Sequence, residues 1–252
     1  MISVRGVSKT FTASDRKELL IIDNVSVDIN DGEFVTIIGP SGCGKSTLLN
    51  IMSGLMQPDK GEILVDGRAM NRPRPEALSM VFQDPGVFPW RDVRGNVEFP
   101  LELRHVGKAR RRELSAKFIS LVGLSGFERF HPGQLSGGMQ QRVNLARALV
   151  TEPEILLMDE PFGALDELSR LKMANELTSI WEKTKLTVVF VTHSLTEAAY
   201  LSDRIIVSSP RPSRIKSIID VKTPRPRDFE DEELVVVKKK LWDMLANTGE
   251  AR

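Results

Sequence analysis

In Phe34-Val35-Thr36-Ile37-Ile38-Gly39-Pro40-Ser41-Gly42-Cys43-Gly44-Lys45-Ser46-Thr47, an apolar run with the character of a buried strand breaks into glycines and then into a Lys-Ser pair. Gly39 to Ser46 match the pattern G-x-x-x-x-G-K-[ST] in full, with a strand before and a helix, Lys45 to about Ser53, after. Such a loop suits phosphate. Its glycines let the backbone curl with N–H groups turned inward, and the helix start presents the positive end of its dipole to the same anion. Gly39, Pro40, Ser41, Gly42, Cys43 and Gly44 form the expected cradle, and Lys45 is expected to reach the β- and γ-phosphates of ATP. Ser46 supplies a hydroxyl oxygen to Mg²⁺, a hard cation that prefers oxygen, and Thr47 supports the α-phosphate. The competing reading is a glycine-rich turn with a chance Lys-Ser, and it leaves the flanking strand and helix without a purpose. Cys43 reads as a small space-filler; the alternative is a thiol whose pKa the helix N-terminus lowers.

Working outward, Ile155 to Met158, Val188 to Val191 and Arg204 to Val207 are further short apolar runs, with helical stretches between them. That alternation indicates an α/β fold with a mostly parallel sheet; with the phosphate loop after one of its strands, it resembles the P-loop NTPase (RecA-like) architecture. Ile2 to Glu33 differ: β-branched alternation in Val25-Ser26-Val27-Asp28-Ile29 and a turn signal at Asn30-Asp31-Gly32 predict an N-terminal antiparallel β-layer. From Pro85 the composition becomes charged and helix-favouring, and an inserted helical subdomain is expected over residues 85–150 of one domain spanning 1–252. Its basic run, Lys108 to Arg112, reads as a solvated helix face rather than a nucleic-acid patch. A tail over 208–252 is rich in Pro and Arg before a last helix, where Leu234, Val237, Leu241 and Leu245 make one apolar stripe that packs on the body.

Composition removes several function classes. The 252 residues are 41% apolar and 27% charged, so the chain folds as a globular protein rather than a disordered one. Lys and Arg number 35 against 34 Asp and Glu, which leaves no basic field for nucleic acid, and no nucleic-acid partner is expected. One cysteine permits no intrachain disulfide and fits a reducing compartment. No apolar run approaches the ~20 residues of a membrane span, and Met1 to Thr10 lack an apolar signal core. No lipidation signature is present either, so membrane association is expected only through a partner.

Two further motifs carry chemistry. Ile155-Leu156-Leu157-Met158-Asp159-Glu160 is a buried strand ending in paired carboxylates. Asp159 can hold Mg²⁺ directly or through water, and Glu160 can polarise an attacking water as general base. An ordinary N-cap pair is the alternative. Leu135-Ser136-Gly137-Gly138-Met139-Gln140-Gln141-Arg142 opens a helix, and there Ser136 with the amides of Gly137 and Gly138 makes a second anion site. A lone Ser-Gly-Gly is usually a capped turn, but this one stands shortly before the acidic strand.

This last motif resembles the signature of ATP-binding cassette proteins, L-S-G-G-x-Q-x-R, at every specified position, and the resemblance covers nearly the whole chain. It implies that Gln83 is the Q-loop glutamine, touching Mg²⁺ or the water, that His193 is the switch histidine sensing the γ-phosphate, and that Phe11 stacks on adenine, with a core phenylalanine as its alternative. Gly163-Ala164-Leu165-Asp166 looks like the D-loop, with Gly163 where many relatives carry serine. The resemblance further implies an ATP sandwich between two copies, each giving its phosphate loop to one site and its signature to the other. Separate transmembrane permease subunits are then expected to dock beside the Q-loop, near Val87-Phe88-Pro89-Trp90-Arg91, with a solute-binding protein as an indirect partner. The implied place is the cytoplasmic side of the cell membrane. Phe88-Pro89-Trp90 and Ser208-Ser209-Pro210-Arg211-Pro212 look like the importer branch for nitrate, sulfonates and taurine; an exporter ATPase and a soluble non-transport cassette protein are the alternatives.

Overall fold

The computed structural model describes residues 1–12, 17–163 and 165–246. Its strands are β1 (Ile2–Thr12), β2 (Glu18–Ile29), β3 (Phe34–Ile38), β4 (Lys60–Val65), β5 (Arg68–Ala69), β6 (Leu78–Val81), β7 (Ile155–Asp159), β8 (Thr187–Val191), β9 (Arg204–Ser208) and β10 (Ile215–Asp220). Its helices are α1 (Lys45–Met52), α2 (Val93–Leu103), α3 (Lys108–Leu121), α4 (Gly137–Leu149), α5 (Glu167–Thr184), α6 (Leu195–Leu201) and α7 (Glu232–Ala246). Two compact units result, one of Met1–Arg74 with Lys185–Arg252 and the other of Pro75–Thr184.

In the first unit the N-terminal layer is the antiparallel sheet β2-β1-β4-β5. Its alternating pattern buries Val25, Val27 and Ile29 on β2 and leaves Ser26 and Asp28 exposed between them. The Asn30-Asp31-Gly32 turn closes with Glu33 N–H donating to Asn30 O at 3.2 Å and passes the chain from β2 into β3. All five residues of β3 are buried, because it runs parallel between β8 and β9 and has both faces covered. Burial of each such Val, Ile or Phe contributes about 1.5–3 kcal/mol. Strand β10 closes the far side of β9 in antiparallel register. An isolated bridge, Ile22 with Ser213, ties the layer to the turn between β9 and β10.

The tail stripe packs as its period requires: Leu234 and Leu241 are buried, with Val237 and Leu245 half-buried. Ahead of α7, the Arg227 guanidinium donates to the carbonyls of Ala199, Tyr200 and Ser202 at 3.3, 2.8 and 2.8 Å, and so holds the end of α6. Burial first, and the neighbouring Arg225 charge second, push its pKa down to about 10.

In the second unit β6 and β7 pair in parallel, with Val81 opposite Met158. The charged run beginning at Lys108 forms α3, burying Leu114, Phe118 and Ile119 and leaving Arg110 and Arg112 exposed. Helix α2 starts at Asp92, whose carboxylate accepts from Gly95 N at 2.7 Å. Asn96, fully buried, donates to the carbonyls of Phe88, Arg91 and Asp92 and fixes the segment before the helix. Among the described residues no helix is long and apolar enough to cross a membrane.

Candidate functional site

The first unit carries the phosphate loop. It begins where buried β3 ends, and it is drawn tight by Cys43 N–H donating to Pro40 O at 3.2 Å. That amide is therefore engaged within the loop, a departure from the expectation that all its N–H groups turn inward; the tight turn at Pro40 uses it. The Cys43 side chain is buried and 3.0 Å from where a Cβ on Gly39 would lie, which is the space-filling role. Lys45 is buried too, and its ammonium donates to Gly39 O at 3.0 Å and Pro40 O at 3.1 Å. Two carbonyls of the loop thus hold the cation at the loop's own concavity. Gly44 caps α1 at φ 114°, a conformation open to glycine and strained for L side chains. Ser46 is exposed and Thr47 half-buried at the first turn of that helix.

Elsewhere in this unit, Phe11 on β1 pairs with Leu19 and is 39% exposed, so the core alternative fails for it. Its ring has the Lys9 ammonium 5.8 Å from the centroid. His193 is exposed on the turn between β8 and α6. That turn is set by residues the sequence reading missed: buried Thr192 donates to buried Glu197 at 2.5 Å and accepts from Ser194 N at 3.0 Å. The signal was present as Ser194-x-x-Glu197, a capping-box pattern in which Ser194 accepts from Glu197 N at 3.3 Å.

The second unit gathers the acidic pair and the glutamine. Asp159 is the last residue of β7, and Glu160 follows at φ 42°, in the left-handed region. Such a conformation in a non-glycine residue costs about 1–3 kcal/mol and concentrates at functional positions. Glu160 O accepts from Gly163 N at 3.1 Å. A Cβ on Gly163 would stand 3.9 Å from Gln83 Nε2 and 4.0 Å from Glu160 Cβ, so Gln83, Glu160 and Gly163 come together. Parallel pairing explains the convergence, since β6 and β7 release their chains at the same edge. Ala164, within the D-loop-like segment, lies outside the described residues.

Ser136 caps α4, its hydroxyl oxygen accepting from Met139 N at 3.3 Å, which leaves the hydroxyl proton available to an anion. Gly137 and Gly138 form the first turn, with Gly137 exposed. Arg142 anchors the helix by donating to Val122 O at 3.1 Å and pairing with Glu176 at 2.8 Å. Burial raises the Glu176 carboxyl above the usual range, against the pull of Arg142. Arg147, which sequence alone gave no reason to select, donates to Pro85 O at 2.7 Å and Gly86 O at 2.8 Å and so holds the chain just after Gln83.

Beside that chain runs a groove of about 550 Å³ lined in part by Phe82, Phe88, Phe99, Leu103 and Arg147. Of the stretch Val87 to Arg91, only Phe88 lines this groove. Trp90 is 72% exposed, and Arg91 is drawn away to Gly95 O and Glu102, at 3.1 and 2.8 Å.

No group of three or more His, Cys, Asp or Glu that could hold a metal ion occurs among the described residues. Ser46 in the first unit carries a hydroxyl oxygen, and Gln83 and Asp159 in the second carry an amide and a carboxylate oxygen, each the hard type of donor that Mg²⁺ prefers.

Residues 22–163 match the family described as ABC transporter. An uncharacterized ABC transporter ATP-binding protein of Methanocaldococcus jannaschii is 47% identical over 244 residues, 97% of this chain and 91% of that protein. An aliphatic sulfonates import ATP-binding protein of Bacillus cereus is 40% identical over 248 residues, covering 98% and 97%. Among solved structures, the dimeric structure of a bacterial ABC transporter cassette superposes with a TM-score of 0.79 at 34% identity, covering 89% of this chain and 100% of that one. A dimeric post-hydrolysis state bound to ADP and Pi matches at the same TM-score and 33% identity.

Proposed function

We propose, from the premise that this chain belongs to the ABC transporter family, that it is the ATP-hydrolysing subunit of an importer for a small anionic solute of the nitrate, sulfonate or taurine type. The observation that carries the ATPase reading is the phosphate loop, with the Lys45 ammonium held in it by two loop carbonyls. The 40% identity to a sulfonate import protein across nearly both chains supports the solute class.

In this reading the amides of Ser41, Gly42 and Gly44 and the Lys45 ammonium bind the polyphosphate, Thr47 supports the α-phosphate, and Phe11 offers its exposed ring to adenine. An anion in the loop competes with Gly39 O and Pro40 O for the Lys45 ammonium, so binding moves that cation from carbonyl to phosphate. Ser46, Asp159 and Gln83 would hold Mg²⁺, which neutralises phosphate charge. Glu160 takes the proton of the attacking water from a left-handed turn whose Gly163 stands close to Gln83. His193, exposed on a turn that Thr192 and Glu197 make rigid, donates or accepts as the γ-phosphate leaves.

Ser136, Gly137 and Gly138 serve the site of a second copy, and the dimeric cassettes that resemble this chain support that pairing. The nucleotide bridges two copies in a symmetric interface, and its hydrolysis withdraws the bridge. In the same reading a permease segment docks in the groove lined by Phe88, Phe99 and Arg147, and the chain works on the cytoplasmic side of the membrane through that partner.

Glu160→Gln tests the reading. The variant binds ATP, turns over roughly 10²-fold or more slowly, and forms an ATP-dependent dimer by light scattering that Lys45→Ala does not. Wild-type turnover in the glutamine variant, or a strictly monomeric ATP-bound form, refutes it.

A further inference from the structure

The turn between β9 and β10 stands against the phosphate loop. A Cβ placed on Gly42 would meet Arg211 Nη2 at 3.2 Å, so the guanidinium lies directly on the loop residue at the middle of the cradle. The turn that presents it is firmly built. Ser209 Oγ donates to Pro210 O at 2.9 Å and Pro212 O at 3.1 Å and accepts from Arg214 N at 3.0 Å. Ser213 N donates to Ile21 O at 2.7 Å, Asp23 N donates to Ser213 O at 3.0 Å, and Arg214 Nε bonds Asp23 at 2.9 Å. The backbone beneath Arg211 is therefore fixed to both β2 and β10.

The side chain itself has no such ties. Arg204 pairs with Glu33, Arg214 with Asp23 and Arg225 with Asp203, whereas Arg211 has no hydrogen bond or ion pair among the described residues. An exposed arginine without a partner is ordinary on a solvated surface. Here the cation abuts a loop whose amides and helix start already favour anions, next to exposed Ser41 and Gly42. Within the loop the only side-chain cation is Lys45, and a polyphosphate carries several negative charges. A guanidinium offers a planar fork that matches phosphate oxygens and retains its charge at any working pH.

We propose that Arg211 is a further nucleotide-binding residue, a second cation that swings from the β9–β10 turn onto the polyphosphate held by the loop. The inference rests on the reading that this loop holds a nucleotide. It assigns to Arg211 a share of affinity for the phosphates and none for the base.

The test is ADP binding by calorimetry, at low and high salt, for wild type, Lys45→Ala, Arg211→Gln and Arg211→Lys. Arg211→Gln is expected to raise Kd about tenfold at low salt, or ~1.4 kcal/mol, to reduce the salt dependence of Kd, and to leave the melting midpoint of the ligand-free protein unchanged. Arg211→Lys restores part of the affinity, because it restores the charge without the fork. A Kd for Arg211→Gln within twofold of wild type at low salt overturns the proposal. So does a weakened affinity with undiminished salt dependence, or one accompanied by a lowered ligand-free midpoint, since either marks a merely structural role. If wild type itself fails to bind ADP, or binds it equally well without Lys45, the functional reading falls first and this inference falls with it.

Discussion

Replacing Gly44 by alanine perturbs the loop at the position where its shape is most demanding. At φ 114° and ψ 10° the residue sits well outside the helical and extended regions, and an L side chain held there carries about 1–3 kcal/mol of strain. The new Cβ would also stand 2.9 Å from Ile21 Cγ2, closer than real Cβ contacts come. Ile21 gives way poorly: it is 7% exposed, and its carbonyl accepts Ser213 N at 2.7 Å. Overpacking of this kind costs typically 1–3 kcal/mol, so the two terms together come to about 2–6 kcal/mol. If the loop keeps its shape, the cost appears as lost stability, at about 2–4 °C of melting midpoint per kcal/mol for a chain of this size. If the loop relaxes, its amides leave their alignment, and the same energy appears as weaker nucleotide binding, tenfold for each ~1.4 kcal/mol.

The sharp expectation concerns the sum. Urea denaturation of the ligand-free variant and calorimetric titration with ADP should together account for at least ~2 kcal/mol, however it divides. A Gly44→Ala protein within about 0.5 kcal/mol of wild type on both measurements would refute the reasoning, since surface substitutions without consequence fall in that range. The clash is separable from the strain: in an Ile21→Ala background Cγ2 is absent, so Gly44→Ala should cost less by the overpacking share, while the φ share persists. Equal costs in both backgrounds would show that Ile21 plays no part.

Arg147→Ala removes the donor that holds Pro85 O and Gly86 O, and because water reaches exposed Gly86 the loss should be moderate, about 1–3 kcal/mol by urea denaturation; amide exchange over 86–88 should rise with it, and unchanged exchange there would count against the anchoring role. Asp59 is held below the usual carboxylate range by the hydrogen bond from Lys9, at 2.7 Å, and then by Thr10 N. Its contribution to stability is present above the ordinary value of about 3.9 and is lost as pH falls through the depressed folded value, so Asp59→Asn should flatten that part of the acid limb in denaturation midpoints; parallel curves for the two proteins across that window contradict it.

Several elements were legible because their signals are local. Phe34 to Ile38 is a strand by its unbroken apolar run, α3 begins at Lys108 where helix-favouring charge begins, and the stripe Leu234-Val237-Leu241-Leu245 repeats at helical spacing. What stayed hidden depends on residues distant in sequence. Arg227 reaches back 25 to 28 positions to grip the end of α6, and no periodicity marks it. Buried Asn96 and the Asp92 cap, which no periodicity marks, fix the segment that follows the Q-loop glutamine, with Phe88 lining the groove and Trp90 exposed. The Pro-Arg-Pro run read as a family resemblance, and only folding brings Arg211 against Gly42.

Why the first unit concentrates these residues at one edge follows from register. Ile37 lies opposite Val191 and Ile38 opposite Val207, with β3, β8 and β9 all parallel. Each strand therefore releases its chain on the same side: β3 into the phosphate loop, β8 into Thr192 and His193, β9 into the turn that bears Arg211. Parallel strands need long crossover connections, which return the chain to the opposite edge and leave this one free for short functional turns. The arrangement is also brittle in a specific way. Removing one residue from β8 would draw His193 back by about 3.3 Å and turn every following strand position to the other face. Thr192 would lose its hydroxyl contact with Glu197, and with it the turn that presents the histidine. A loop insertion after Ser194 would leave the strand register intact but would carry Glu197 away from Thr192 and Ser194, so the position of His193 depends both on the length of β8 and on the start of the helix that follows.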